Sequence, residues 1–338
     1  MEQLAAGVVS GDRRVLARAV SLIESVRPND ARPARQLLEQ LLHRTGGSLR
    51  IGITGMPGAG KSTFISRLGI DLCRKGRRVA VLAVDPSSSV SGGSILGDRT
   101  RMSELASQPN AYIRPSPTSG TLGGVGRRTR EVMLLCEAAG FDVVIVETVG
   151  IGQSEAAVAD LVDGVIALIL PASGDDLQGI KRGLLECVDV IAINKADGEN
   201  EKPAHRAAAD FSAAMAVLHP VPAGRPAVIA CSARTGYHIQ DVWHAVEHAV
   251  ADRITTGEYD DRRRRQRLVW LESLVRERLD DLLARSCSAS SAFASARQDV
   301  TRRGVPPTVA ADAVVSALLD EIARSGRGAP ADRCGEAT

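Results

Sequence analysis

Eight residues carry the first recognisable chemistry. Gly55-Met56-Pro57-Gly58-Ala59-Gly60-Lys61-Ser62 keeps the spacing G-x-x-x-x-G-K-[ST] throughout. An apolar run precedes it and an amphipathic stretch, Ser62–Lys75, follows it, which is the strand-to-helix setting the motif needs. Its glycines let backbone N–H groups turn inward around phosphate oxygens, and the start of the helix adds its positive end. Gly55, Pro57, Gly58, Ala59, Gly60 and Thr63 are therefore expected to line a phosphate site. Lys61 would reach the β- and γ-phosphates, and the Ser62 hydroxyl would ligate Mg²⁺.

Two carboxylates extend the pattern. Val79–Val84 ends in Asp85, and Phe141–Val146 ends in Glu147, followed by Thr148-Val149-Gly150. In a parallel sheet the C-terminal strand ends share one edge, where ligands bind. Asp85 and Glu147 are thus expected to face the metal and the γ-phosphate, as catalytic residues beside Lys61. Glu147–Gly150 resembles the D-x-x-G switch of GTPases with Glu in place of Asp, and Gly150 would offer its backbone N–H to the γ-phosphate. No glutamine follows Gly150 directly, and Gln153 lies three positions on. Slow intrinsic turnover is the expectation.

A third group distinguishes bases. Asn194-Lys195-Ala196-Asp197 follows the run Val190–Ile193. A carboxylate accepts two hydrogen bonds at once, and guanine offers N1–H and N2–H₂ as a matched donor pair where adenine does not. Ser232-Ala233-Arg234 follows the next apolar run and resembles the loop whose backbone supports the guanine carbonyl in GTPases. Four elements in this order predict binding of GTP and GDP.

The elements that must position these residues are legible in the spacing of apolar side chains. Leu49–Thr54, Arg78–Val84, Phe141–Glu147, Val165–Leu170, Val188–Asn194 and Ala227–Ser232 are short, nearly unbroken apolar runs. Such runs suit strands buried on both faces of a mainly parallel sheet with crossover helices. Weak alternation at Ala111–Arg114 suggests one more strand. The fold class expected is α/β, a P-loop NTPase three-layer sandwich flanked by helical extensions. Residues 1–46 read as an N-terminal helical extension, with Asp12 capping one helix. Residues 47–256 read as the nucleotide domain. Residues 257–325 read as a C-terminal helical arm, in which Leu268, Leu271, Val275, Leu279 and Leu282 form a stripe suited to packing along another helix. Ser286–Ser295 reads as a small-residue linker, Pro307–Arg324 as a last helix, and 326–338 as a disordered tail.

Composition narrows the rest. The 338 residues hold 42 basic and 40 acidic side chains, a net charge of +2, so no global basic field points to nucleic acid. No apolar stretch approaches the roughly 18 residues of a membrane span, and the start of the chain lacks the pattern of a secretory signal. The six cysteines show no C-x-x-C spacing; Cys73, Cys136, Cys187 and Cys231 lie in apolar segments, as reduced buried thiols do, which favours core filler over a disulfide framework or a zinc site. A cytoplasmic protein with neither nucleic-acid nor membrane partners is expected. The basic run Arg262–Arg265 reads as a solvated face.

Longer stretches carry a family resemblance over roughly residues 10 to 325. They are Val84–Ser88, Ser91–Met102, Gly120–Gly124, Glu147–Glu155 and Gly174–Lys181. On these the chain resembles the MeaB/ArgK family of P-loop GTPases, the G-protein chaperones of adenosylcobalamin-dependent methylmalonyl-CoA mutase. The resemblance implies that Asp85 and Asp98 belong to a first switch, with Asp98 joining Ser62, Asp85 and Glu147 as a metal ligand. Glu147 would belong to a second switch, and Gly174–Lys181 would form a third that relays nucleotide state to the mutase. It further implies gating of adenosylcobalamin transfer to methylmalonyl-CoA mutase, ejection of damaged cofactor, and a homodimer through the C-terminal helices.

Two other functions compete. A metal-insertion GTPase needs grouped His or Cys ligands, and the sequence offers one helical pair, His244 and His248. A kinase of a lysine/arginine/ornithine transport system, an older naming of the same family, is opposed by the guanine signature Asn194–Asp197.

Overall fold

The computed structural model describes residues 1–85, 102–117, 128–148, 158–171, 182–222 and 224–326. Two compact units divide the chain, Met1–Arg263 and Arg264–Thr338. The first is built on a seven-stranded sheet. Its strands are β1 (Leu49–Gly55), β2 (Val79–Asp85), β3 (Ala111–Pro117), β4 (Val143–Glu147), β5 (Gly164–Ile169), β6 (Val190–Ile193) and β7 (Ala227–Ala230). They lie in the order β3-β2-β4-β1-β5-β6-β7, and every pairing is parallel. β3 is three residues longer than the weak alternation at Ala111–Arg114 suggests, because it pairs with β2 along its whole length.

Alternation within the strands feeds two cores. Ala80, Leu82, Val144, Val146, Val165, Ala167, Ile191 and Ile193 face one side. Val79, Val81, Val143, Ile145, Ile166, Leu168, Val190 and Ala192 face the other. The first core is covered by α1 (Glu2–Val9), α2 (Arg13–Glu24), α3 (Pro28–Leu41), α6 (Thr129–Ala138) and α8 (Glu201–Leu218). The second is covered by α4 (Lys61–Arg74) and α9 (Ile239–Thr256), with the single turn α5 (Ser103–Ala106). A further turn, α7 (Arg182–Leu185), precedes β6. Asp12 caps α2 by accepting from the backbone N–H of Arg14 and Val15. Val8, Leu16, Val20, Ile23, Leu37 and Leu41 belong to the same buried cluster as strand residues of β2 and β4, so the N-terminal helices share the core of the first unit.

Three aspartates hold the edge of the sheet opposite the strand C-termini. Asp142, Asp163 and Asp189 each stand just before a strand and accept from a backbone N–H at the start of its neighbour. The donors are Arg78 at 2.7 Å, Arg50 at 2.8 Å and Val165 at 2.8 Å. Each bond fixes the register of one parallel pair. Asp163 is the hub, for it also pairs twice with Arg263, Nε to Oδ1 at 2.8 Å and Nη2 to Oδ2 at 2.7 Å. Arg263 further donates to the Gly46 and Ser48 carbonyls and lies over the Tyr259 ring, with only 8% of its surface exposed. Arg262 donates to the carbonyls of Ala159 and Val162. The expected solvated face is therefore correct for exposed Arg264 and Arg265 and wrong for Arg262 and Arg263. A charge run gives no sign of which members turn inward; the buried carboxylate 100 residues away decides it.

Helix α10 (Glu258–Arg285) carries these arginines in its second turn. In the second unit, α11 (Cys287–Arg303) packs on α12 (Pro307–Gly326). The expected linker Ser286–Ser295 is instead the start of α11. Ser286 is its N-cap, accepting from the Ala289 N–H at 2.9 Å, and Glu321 of α12 accepts from both the Ser286 hydroxyl and the Ser288 N–H. A capped, alanine-rich run prefers helix to coil once a partner covers it. Leu268, Leu271, Val275, Leu279 and Leu282 on α10 are each about half exposed on the single chain, from 47% to 60%. Cys73, Cys136, Cys187 and Cys231 are free thiols. Among the described residues, no helix is long and apolar enough to cross a membrane.

Candidate functional site

The parallel sheet delivers every candidate loop with described coordinates to one edge. β1, central in the sheet, runs directly into the phosphate loop at Gly55. Gly55 and Gly60 show why glycine is required there. Both have positive φ, 144° and 88°. A Cβ on Gly55 would run into the Leu168 carbonyl of β5, and one on Gly60 would stand 2.7 Å from the Asn194 amide nitrogen. Pro57, Gly58 and Thr63 are exposed at the rim, while Ala59 is fully buried beneath the loop. Lys61 opens α4 and is 9% exposed, with its ammonium donating to the carbonyls of Gly55 at 2.7 Å and Met56 at 3.2 Å. The loop thus holds its cation over its own concavity, at a helix start, where an anion is favoured.

Ser62 and Glu147 meet across two elements. The Ser62 hydroxyl, in the first turn of α4, donates to Glu147 Oε1 at 3.1 Å, at the end of β4. A hydroxyl and a carboxylate oxygen side by side are hard donors of the kind Mg²⁺ takes. Asp85 ends β2, two strands from β1 on the same edge. Its side chain, together with Asp98, Gly150, Gln153 and the segment Gly174–Lys181, lies outside the described residues.

The base-recognition loops are joined to the phosphate loop by one side chain. Asn194, 1% exposed at the end of β6, donates from Nδ2 to the Ala59 carbonyl at 2.7 Å and accepts the Ala233 N–H on Oδ1 at 3.0 Å. Lys195 follows with φ of 66°, a left-handed backbone that turns the chain so that Asp197 faces the loop after β7. There Asp197 Oδ1 accepts from the Ser232 hydroxyl at 2.8 Å, and Oδ2 pairs with Arg234 Nε at 3.1 Å. Beneath them, burial pushes the Cys231 thiol up to about 12, which leaves a neutral wall. Gly236 permits close approach of Arg67 from α4, with a Cβ there only 2.5 Å from the guanidinium, so the base loop also rests on the phosphate-loop helix.

Sequence reasoning placed Lys61, Ser62, Glu147, Asn194, Asp197, Ser232 and Ala233 in one site, and the structure brings them to one edge. It did not foresee Asn194 as a tie, Arg67 as a support, or Arg234 acting through its side chain. Only the first had a signal, because an Asn at a strand end beside a glycine loop has both a donor and an acceptor to place.

The chain matches the family model for the methylmalonyl Co-A mutase-associated GTPase MeaB over residues 16–289. It is 54% identical over 282 residues to a protein of Mycobacterium tuberculosis described as a probable GTPase, covering 83% of this chain and 84% of that one. It is 48% identical over 268 residues to the GTPase ArgK of Escherichia coli, covering 79% and 81%. A crystal structure of a LAO/AO transport system kinase superposes with a TM-score of 0.73 at 35% identity, covering 94% of this chain and 97% of that one.

Proposed function

The chain belongs to the MeaB family of GTPases, and on that premise we propose that it is a G-protein chaperone of methylmalonyl-CoA mutase. In this reading it gates adenosylcobalamin loading and protects the loaded enzyme. Its enzymatic activity is GTP hydrolysis. The observation that carries the site assignment is the tie through Asn194, which holds a phosphate loop and a guanine-reading carboxylate in one rigid frame.

In the reaction, a water oxygen bonds to the γ-phosphorus while the bond to the bridging oxygen breaks, giving GDP and inorganic phosphate. The chain forms no covalent intermediate; it positions groups and supplies charge. Backbone N–H groups of the loop from Gly58 to Thr63 hold the phosphates, and Lys61 moves its ammonium from loop carbonyls to the β/γ oxygens. Asp197 reads guanine with support from Ser232, and the Ala233 backbone holds the base loop. Bound Mg²⁺ would supply charge neutralisation at the γ-phosphate, held by Ser62 and Glu147 with Asp85 and Asp98 as further ligands. Residues 47–256 act as the nucleotide domain and 257–325 as a dimerisation arm, to which the exposed stripe on α10 lends support. A cytoplasmic location fits this role.

No observation favours the metal-insertion alternative. Among the described residues, no three His, Cys, Asp or Glu side chains are grouped to hold a metal, and His244 and His248 are exposed. Cofactor loading tests the proposal: apo-mutase and adenosylcobalamin are mixed with this protein and GTP, GDP or a non-hydrolysable analogue, and transfer is followed by visible absorbance. Transfer should differ between nucleotides. Equal transfer with all three would remove the gating role.

A further inference from the structure

We propose that Arg234 is an internal competitor for the base-reading carboxylate and so sets the rate and tightness of guanine-nucleotide loading. The proposal rests on the reading of Asp197 as the residue that recognises guanine.

Both oxygens of Asp197 have a partner from the protein itself, a hydrogen bond on one and an ion pair on the other. On Oδ1 sits the Ser232 hydroxyl at 2.8 Å, from a residue that is fully buried. Ser232 is fixed on every side: its N–H donates to the Tyr237 carbonyl, its carbonyl accepts from Gly236, and its hydroxyl accepts from the Thr235 N–H. It is a permanent lateral anchor. On Oδ2 sits Arg234 Nε at 3.1 Å, from a side chain 80% exposed, against a carboxylate only 15% exposed. Among the described residues Arg234 has no other side-chain partner, so nothing but this ion pair holds it.

Guanine recognition needs both oxygens, one for N1–H and one for N2–H₂. Arg234 Nε stands 3.1 Å from Oδ2 as an ion pair, so the guanidinium occupies the oxygen that one of those donors must reach. Ser232 can keep its place, because a carboxylate oxygen has a second lone pair and the hydroxyl approaches from the buried side. Arg234 stands on the solvent side, where the base enters, and must swing away. An exposed ion pair is weak enough for that, yet it holds the closed arrangement for much of the time. The apparent affinity is reduced by the fraction of time the carboxylate is open. For a pair of ordinary surface strength the reduction is about two- to sixfold. The effect falls on association, since once the base is seated Arg234 no longer touches Oδ2.

The test uses the full-length protein and a fluorescent GDP in stopped flow, at low and high ionic strength. Arg234→Ala should raise the association rate constant and tighten Kd about two- to sixfold, with the dissociation rate constant unchanged. Arg234→Lys should stay near the parent, and the advantage of Arg234→Ala should shrink at high salt as the parent's ion pair is screened. Introduced into an Asp197→Asn background, Arg234→Ala should add nothing. Weaker binding through faster dissociation would make Arg234 a base contact and overturn the proposal, as would no change in either constant. Asp197→Asn alone separates the two claims. If it fails to move preference from GTP to xanthosine triphosphate, the base-site reading itself falls; if it does move preference while Arg234→Ala is neutral, only the competitor role falls.

Discussion

At the residue scale the site divides into groups that carry charge and groups that hold them still. Lys61 belongs to the first, and its ammonium already rests on loop carbonyls at the helix start. Lys61→Ala should abolish measurable GTP hydrolysis while leaving the thermal unfolding midpoint nearly unchanged; persistent turnover would displace it from the mechanism. Asn194 belongs to the second. It never needs to touch the nucleotide to matter, since it ties the Ala59 carbonyl to the Ala233 N–H. Asn194→Ala leaves that buried N–H unpaired, a cost of about 1–3 kcal/mol. Isothermal titration should then show weaker GDP binding together with a lowered unfolding midpoint. Asp197→Asn exchanges an acceptor for a donor at one oxygen, so competition binding should favour xanthosine triphosphate over GTP.

At the scale of elements, the sheet explains why so much of the site could be read in advance. Buried parallel strands need unbroken apolar runs, and the residue after each run must fall on the ligand edge; Glu147, Asn194 and Ser232 were found that way. What could not be read depends on partners distant in sequence. Arg263 looks like its neighbours Arg264 and Arg265 until Asp163 and the Gly46 and Ser48 carbonyls close around it. Ser286–Ser295 looks like a linker until Glu321 of α12 closes its N-terminus. The difference within the arginine run is measurable. Arg263→Met strands a buried carboxylate and should cost about 3–5 kcal/mol in urea unfolding. Arg264→Met and Arg265→Met, on the exposed side, should stay within about 0.5 kcal/mol of the parent. Equal effects at all three positions would return the run to a solvated face.

At the scale of the whole molecule, one unit carries the nucleotide machinery and the other presents an apolar stripe. Leu271 and Val275 of α10 are 57% and 50% exposed on the single chain, more apolar surface than an isolated helix leaves to water without use. If the proposed homodimer forms through this stripe, replacing both with glutamate should shift sedimentation equilibrium toward monomer without altering GTP turnover per chain; an unchanged mass would contradict the proposed dimerisation arm. The near-balance of 42 basic and 40 acidic residues suits this division, since in the proposed site the triphosphate would be held by Lys61, backbone N–H groups and a helix start, with no basic surface required. The central claim is that this G-protein serves a mutase. It is tested most directly by the steady-state rate of GTP hydrolysis with and without purified adenosylcobalamin-dependent methylmalonyl-CoA mutase. We expect a slow basal rate that rises when the mutase is added, with saturation at a defined stoichiometry. An unchanged rate and no detectable complex in any nucleotide state would contradict the chaperone role and leave a GTPase whose partner is another protein.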